Sequence, residues 1–229
     1  MIDKMTELKN KVSEMLLPTK LFNDDLKTHL GLVRRTVEKD KIDQFTPRLI
    51  VTSLEDKGQK SMRVIGLAGF PDSNEEKCKV MSMLGLACAA NDLKVIMAVF
   101  ESEAWLAEEK RDPKTIQAKE FVRPSERPDR QEVIIVAARS IDGRDAFATI
   151  PITGRNEDKS LILGKEKIQE FEEKGNATIK DSLLESFFIA MAAGTLAKVQ
   201  AEFLVSQGKE VPQEVQDMVL MLDSCPVKL

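Results

Sequence analysis

Apolar residues recur along this chain with two different spacings, and the spacing changes several times. Within residues 3–17 their spacing predicts a helix with one apolar side. Helical spacing returns at residues 23–40, where one narrow stripe predicts a helix that covers a larger body. The first stripe contains Met5, Leu8, Val12, Met15 and Leu16, and the second contains Leu26, Leu30, Val33 and Val37.

The next part of the chain combines β-rich runs with one strongly apolar helix. Residues 48–54 and 62–67 flank a polar turn and predict a hairpin. Ser73 and Glu76 then have the spacing of a capping box, which predicts the start of a helix that runs to about Ala90. Because this helix is apolar nearly all round, we expect it to be buried.

The remaining elements complete the predicted architecture. Apolar runs at 95–100 and 133–138 predict strands, and Asp142-Gly143 predicts a tight hairpin between the second of these and a strand at 146–153. A short edge strand at 161–163 and helices at 178–206 and 212–222 follow.

This order of elements predicts an α+β fold. Its sheet is expected to be antiparallel or mixed, with about five to six strands and a buried central helix. We expect one domain over residues 1–229, which comprises an N-terminal helical segment at 1–46, an α/β core at 47–164 and C-terminal helices at 165–229.

Charge and cysteine content narrow the classes of function. The net charge of −4 and pI of about 5.4 do not indicate a nucleic-acid binder, which usually carries a basic excess. The three cysteines form no Cys-x-x-Cys pair, so neither a disulfide framework nor a zinc site is indicated. The first residues show no signal-peptide core, and the longest uncharged apolar-rich run, 186–197, is shorter than the roughly 20 residues of a membrane span. A cytoplasmic protein without a membrane segment is therefore expected.

Two stretches near the middle of the chain carry the candidate site. Glu101, Glu103 and Trp105 end an apolar strand, and side chains two positions apart in a strand share one face. A charged connection of about 25 residues follows, longer than most loops in compact domains. Pro124 and Pro128 stiffen its second half. That half presents Ser125, Glu126, Asp129 and Arg130, and Glu132 opens the next strand.

This segment has two interpretations. Its arginines could hold a carboxylate or a phosphate through paired hydrogen bonds. Alternatively, Arg130 could pair with neighbouring carboxylates in a purely structural network, since ion pairs also occur without function.

A catalytic hypothesis uses the same carboxylates. If the two strands are neighbours, Glu101, Glu103, Asp129 and Glu132 could bind a hard cation such as magnesium and support a hydrolase or nuclease. No other cofactor is evident. A formal nuclease pattern at Pro71-Asp72 and Asp92-Leu-Lys94 has little weight, because a predicted capped helix fills the interval. The single histidine, His29, is expected at the surface of a peripheral helix and excludes a multi-histidine zinc site.

The predicted helix at 178–206 is the candidate surface for self-association. Ala190, Ala192, Ala193 and Gly194 would allow another backbone to approach closely, and Phe187, Phe188 and Phe203 supply apolar area. Such a helix is either part of the core or an oligomer seam. A homo-oligomer formed through this helix is our expectation.

Glu103-Ala-Trp105 followed by Pro124-Ser-Glu-Arg-Pro-Asp-Arg130 and Glu132 resembles a pattern in an uncharacterised protein family from bacteria, archaea and their phages. The resemblance covers about 40 residues. It implies no known activity, and it is compatible with a phage or mobile-element origin. It adds weight to Glu103, Trp105, Ser125, Glu126, Asp129, Arg130 and Glu132. We therefore expect a non-catalytic binding module of unknown ligand, with a metal-dependent hydrolase or nuclease as the alternative.

Overall fold

The computed structural model describes residues 19–55, 58–107, 124–171, 183–225 and 229. Within these ranges the chain forms four helices and seven strands. The helices are α1 (Thr19–Asp40), α2 (Asn74–Ala90), α3 (Leu183–Ser206) and α4 (Gln213–Asp223). The strands are β1 (Arg48–Leu54), β2 (Lys60–Gly66), β3 (Lys94–Leu106), β4 (Gln131–Ser140), β5 (Asp145–Arg155), β6 (Leu161–Leu163) and β7 (Lys167–Phe171).

All seven strands belong to one antiparallel sheet with the order β2-β1-β3-β4-β5. The outer side of β5 is shared by two short strands: β7 pairs with its first half and β6 with its second half. The hairpin predicted at Asp142-Gly143 joins β4 to β5, and Gly143 adopts the positive φ of 84° that favours glycine. The long strands β3 and β4 lie side by side at the centre.

Helices cover both faces of this sheet. On one face the apolar stripe of α1 packs against β1, β3, β4 and β5, with Val33 fully buried. On the other face α2, α3 and α4 pack against the opposite side chains of β1 and β3. Leu49 and Ile50, adjacent in β1, belong to different cores because successive side chains of a strand point to opposite faces.

The α2 helix begins at the predicted capping box. The Glu76 backbone N–H donates to Ser73 Oγ at 3.2 Å, and Ser73 Oγ donates to the Glu76 carboxylate at 2.8 Å. Gly85 allows α3 to approach closely, since a Cβ there would lie 2.1 Å from the Phe187 carbonyl oxygen. The outer side of α2 is open, and Met83 is 63% exposed. The structure therefore does not clearly show the fully buried central helix that the sequence predicts.

The α+β class and the antiparallel sheet are confirmed, while the strand count of seven exceeds the predicted five to six. The additional strand is β7, which lies within the 165–229 segment where the sequence predicts helices. The edge strand at 161–163 is confirmed. The helix predicted at 3–17, the start of the 178–206 helix and most of the long connection after β3 lie outside the described residues.

The α3 helix combines strong apolarity with an open surface. Of the helices in the described ranges, it alone is long and apolar enough to cross a membrane, with a mean hydropathy of 1.4 over its best window. Only 17% of that window is buried. One side of α3 nevertheless packs into the core through Leu184, Phe187, Met191, Gly194 and Ala197.

Candidate functional site

The predicted site residues of β3 lie on one face of the sheet, the face covered by α1. Met97 and Val99 precede them in the core of that face, as the alternation of side chains requires. Along the strand, burial then falls steadily: Glu101 is fully buried, Glu103 is partly buried and Trp105 is 43% exposed. The strand therefore passes from the core to the surface within five residues, and its carboxylates occupy different environments.

Glu101 lies in a buried cluster with Arg48 and His29. Arg48 is its direct neighbour in the β1–β3 register, and its Nε donates to Glu101 Oε2 at 2.5 Å. His29 reaches the same carboxylate from α1, with Nδ1 3.6 Å from Oε1. His29 Nδ1 and Glu101 Oε1 have no hydrogen-bond partner among the described residues. We name these three residues the buried cluster.

The buried cluster corrects one prediction. His29 is 1% exposed, so the expected surface position on a peripheral helix is wrong. The signal was available in the sequence, because position 29 lies three residues after Leu26 and four before Val33, on the apolar stripe of α1. The residue type alone favours the surface, whereas the position on the apolar stripe favours burial.

Glu103 and Glu132 form a second pair of acids near the surface. The β3–β4 register places Glu132 opposite Trp105, which makes Glu103 its diagonal neighbour on the same face. Arg155 from the end of β5 binds Glu132 with two hydrogen bonds of 2.9 Å. The same guanidinium lies 3.8 Å from Glu103 Oε1, and the Phe45 backbone N–H donates to Glu103 Oε2 at 3.0 Å.

The two acids of this pair have opposite pKa shifts. Burial, followed by the hydrogen bond with Glu132, raises the pKa of Glu103 above its ordinary value. The hydrogen bonds from Arg155 and with Glu103 lower the pKa of Glu132 to about 2. Two adjacent carboxyls share protons unequally, and the arginine decides which of them stays ionised. Glu132 therefore carries the charge and Glu103 is the carboxyl that holds a proton more readily.

Trp105 and Arg130 form the exposed part of the site. The Arg130 guanidinium carbon lies 4.8 Å from the centre of the Trp105 ring, within the range of a cation–π contact. Arg130 Nη1 also donates to the Ser125 carbonyl oxygen at 2.6 Å, which fixes the guanidinium above the ring. We name Glu103, Trp105, Arg130, Glu132 and Arg155 the Trp105 surface.

The remaining predicted site residues contribute less. Asp129 pairs with Arg127 through hydrogen bonds of 2.9 and 2.8 Å and is exposed. Ser125 contributes its backbone carbonyl, while its side chain is exposed. Glu126 is exposed and has no hydrogen bond or ion pair with another described residue. Sequence reasoning missed Arg48, Arg155 and the Phe45 backbone N–H, since nothing in their local sequence indicates which carboxylate they meet.

The structure also bears on the suggested cation site. Arginine lies within 4.0 Å of each of the four acids predicted for that site: Arg48 at Glu101, Arg155 at Glu103 and Glu132, and Arg127 at Asp129. Across the described ranges, no group of three or more His, Cys, Asp and Glu side chains has the arrangement of a metal site.

Comparison with protein-family models, with curated proteins and with solved structures finds no match for this chain.

Proposed function

We propose that this protein is a non-catalytic binding module whose Trp105 surface contacts a polypeptide partner. The observation that supports it is the half-exposed Trp105 ring with the Arg130 guanidinium fixed 4.8 Å above it. Tryptophan and arginine are the residue types most enriched among the few interface residues that dominate binding energy. An exposed tryptophan supported by an ordered arginine is therefore a good anchor for a partner.

The surroundings of the ring favour binding because they are already ordered. Trp105 projects from a central strand, Arg130 is fixed by the Ser125 carbonyl, and Arg155 is fixed by Glu132. Side chains that are ordered before association lose less entropy on binding. The mixture of apolar ring, guanidinium groups and carboxyls suits a peptide backbone with one apolar side chain.

The metal-dependent hydrolase has less support. Its four predicted carboxylates all lie in ion pairs with arginine, so a cation would have to displace a guanidinium from each one that it used. Thermal melting with and without Mg²⁺ or Mn²⁺ tests this alternative. A metal at 100 times its dissociation constant would stabilise the protein by about 2.7 kcal/mol. A clear upward shift in melting temperature would favour the hydrolase over our proposal.

The binding proposal is tested with peptides selected from a random library on the immobilised protein. Trp105 is the single tryptophan, so its fluorescence reports directly on binding at this surface. We expect Trp105→Ala to weaken the selected peptides at least about tenfold, Arg130→Ala to weaken them less, and Trp105→Phe to retain part of the affinity. Affinities of the variants are measured with dye-labelled peptides by fluorescence anisotropy.

Met83→Ala is the control, because Met83 is an exposed apolar side chain on α2, on the opposite face of the sheet. It should bind the selected peptides as the wild type does. If the peptides bind Trp105→Ala with unchanged affinity, or if none can be selected, the Trp105 surface is not the binding site.

A further inference from the structure

A second surface of the molecule has a regular apolar pattern that the Trp105 surface does not explain. The α3 side chains Ile189, Leu196, Val199 and Phe203 are each between 55% and 65% exposed, and Ala192 is also exposed. They lie opposite the side of α3 that packs into the core. Ile189, Leu196 and Phe203 are seven residues apart, and so are Ala192 and Val199. We name these five residues the α3 stripe.

The spacing of the α3 stripe is that of a helix–helix seam. Apolar residues that alternate three and four positions apart repeat every 3.5 residues on average, which keeps them facing a neighbouring helix. The stripe spans four turns without interruption. Among the ranges that the structure describes, no helix lies against it, because α2 and α4 pack on the other side of α3.

Four residues of the α3 stripe, all except Phe203, line one wall of an apolar groove of about 820 Å³. The opposite wall includes Ile141, which is itself exposed, in the turn between β4 and β5. Between residues 186 and 206 the helix carries two charged side chains, Lys198 and Glu202. Lys198 Nζ is bound by the Asp92 carboxylate at 2.8 Å and by the carbonyls of Ala89 and Ala90. The groove thus offers an apolar surface to an incoming helix. The one lysine that lines it from α3, Lys198, is already paired with Asp92.

We propose that the occupant is α3 of a second copy of this chain, packed antiparallel about a twofold axis. The sizes of the side chains support this antiparallel arrangement. When Leu196 faces the partner's Val199, Phe203 faces the partner's Ala192 and Ile189 faces the partner's Ser206. Each large residue at the ends of the seam then meets a small one, and the pattern is self-complementary, as a twofold interface requires.

A parallel pair fits the same stripe less well. It would place Phe203 against the partner's Phe203 and Ala192 against the partner's Ala192, which crowds one end of the seam and leaves a gap at the other. In the antiparallel pair, Glu202 lies beside the partner's Thr195 and apart from its own copy. No like charges then meet across the seam.

Two other occupants are possible outcomes of the experiments below. A lipid bilayer would also accept an apolar helix of this length, although the buried side of α3 would first have to leave the core. The predicted amphipathic helix at residues 3–17 of the same chain could also cover the groove. The dimer proposal is independent of the Trp105 surface, so either proposal can fail without the other.

The first test is the mass of the full chain in solution, measured by light scattering after size exclusion over a wide range of concentration. We expect a species of twice the 25.6 kDa of one chain. Leu196→Glu should weaken association at least about thirtyfold, because it buries charge at the centre of the seam. Met83→Glu, an equally exposed substitution on α2, should leave the dimer intact.

The second test determines the orientation of the helices by cysteine cross-linking. With Cys78 and Cys225 replaced by serine, Ile189→Cys mixed with Ser206→Cys should form a disulfide-linked pair of the two variants. Ile189→Cys alone should not cross-link to itself. Self-cross-linking at position 189 would indicate a parallel pair and overturn the proposed arrangement.

Several results would overturn the dimer itself. These are a wild-type monomer at every concentration, a dimer that Leu196→Glu does not weaken, and a monomer that binds vesicles of anionic phospholipid through the α3 stripe. A chain that dimerises only after deletion of residues 1–18 would show that its own N-terminal segment covers the groove.

Discussion

Glu101 and Glu103 lie two residues apart on the same face of β3, yet one is part of the core and the other belongs to the surface. Glu101 is fully buried and pairs with Arg48, whose side chain is 18% exposed. Glu103 is partly buried and shares Arg155, which is 41% exposed, with Glu132. The difference arises because α1 covers the sheet over Glu101 and the cover ends before Trp105. The boundary of one helical layer therefore decides whether a carboxylate is structural or available.

The ion pairs at these two positions should also contribute differently to the free energy of unfolding. Removing one partner of a buried ion pair costs about 3–5 kcal/mol, since the other charge stays buried without compensation. Exposed ion pairs contribute about 0–1 kcal/mol, because water and salt screen them. Four predictions follow the contrast between the buried cluster and the Trp105 surface, in order of decreasing effect.

The largest effect is expected from truncating the two glutamates separately. Glu101→Ala should lower the free energy of unfolding by about 3–5 kcal/mol, because the Arg48 guanidinium would lose the buried carboxylate with which it pairs. Glu103→Ala should lower it by about 1 kcal/mol or less. Urea denaturation at neutral pH measures both. Equal losses for the two variants would contradict the difference in burial between Glu101 and Glu103.

Replacing the arginine partners of the two glutamates should show the same difference in stability. Arg48→Met leaves the Glu101 carboxylate buried and unpaired, and we expect a loss of about 3 kcal/mol in the free energy of unfolding. Arg155→Met, at the exposed end of β5, should cost about 1 kcal/mol or less. Combining Arg48→Met with Glu101→Leu should recover much of the loss, since an apolar pair can replace a buried ion pair. A double variant less stable than Arg48→Met would argue against this account.

The pH dependence of stability should separate the two acids of the Trp105 surface. The pKa of Glu132 is lowered to about 2, so the stability from its ionised form is present above its unfolded pKa of about 4.3 and is lost as the pH falls to about 2. The pKa of Glu103 is raised, so the stability from its protonated form is present below about pH 4.3 and is lost as the pH rises through the raised value.

Melting temperatures of the wild type, Glu132→Gln and Glu103→Gln over this acid range test both signs. The deficit of Glu132→Gln should shrink as the pH falls. Glu103→Gln should gain on the wild type as the pH rises above 4.3, the ordinary pKa of a glutamate, which is about that of the unfolded chain. The reverse trends would show that Glu103, and not Glu132, is the acid that stays ionised.

The smallest effect is expected at the exposed stack. Arg130→Ala removes a cation–π contact worth about 0.5–1 kcal/mol at an exposed site, so stability should change little. The fluorescence of Trp105 should nevertheless change, because its ring loses the guanidinium that covers one face. Arg127→Ala serves as the control, since Arg127 pairs with Asp129. If Arg127→Ala altered the fluorescence spectrum of Trp105 equally, the change would not be specific to the contact between Arg130 and Trp105.

Much of the fold could be predicted because it depends on local chemistry. The capping box at Ser73 and Glu76 sets the start of α2, and Asp142-Gly143 sets the hairpin between β4 and β5, since each signal acts within a few residues. The shared face of Glu101, Glu103 and Trp105 follows from the alternation of a strand. The strand β7 was missed because Lys167–Phe171 is stabilised by pairing with the edge of β5, and that edge exists only in the folded sheet.

The sequence by itself determined where helices and strands form and which side chains share a face, because periodicity and caps are properties of neighbouring residues. The tertiary structure decided which of those faces is covered and by what. It brought His29 and Arg48 to Glu101 from 72 and 53 residues away and left Trp105 exposed. It also placed Arg155 beside Glu103 and Glu132, where its hydrogen bonds lower the pKa of Glu132. Burial and ion pairing depend on the packing of distant segments, and no local pattern encodes them.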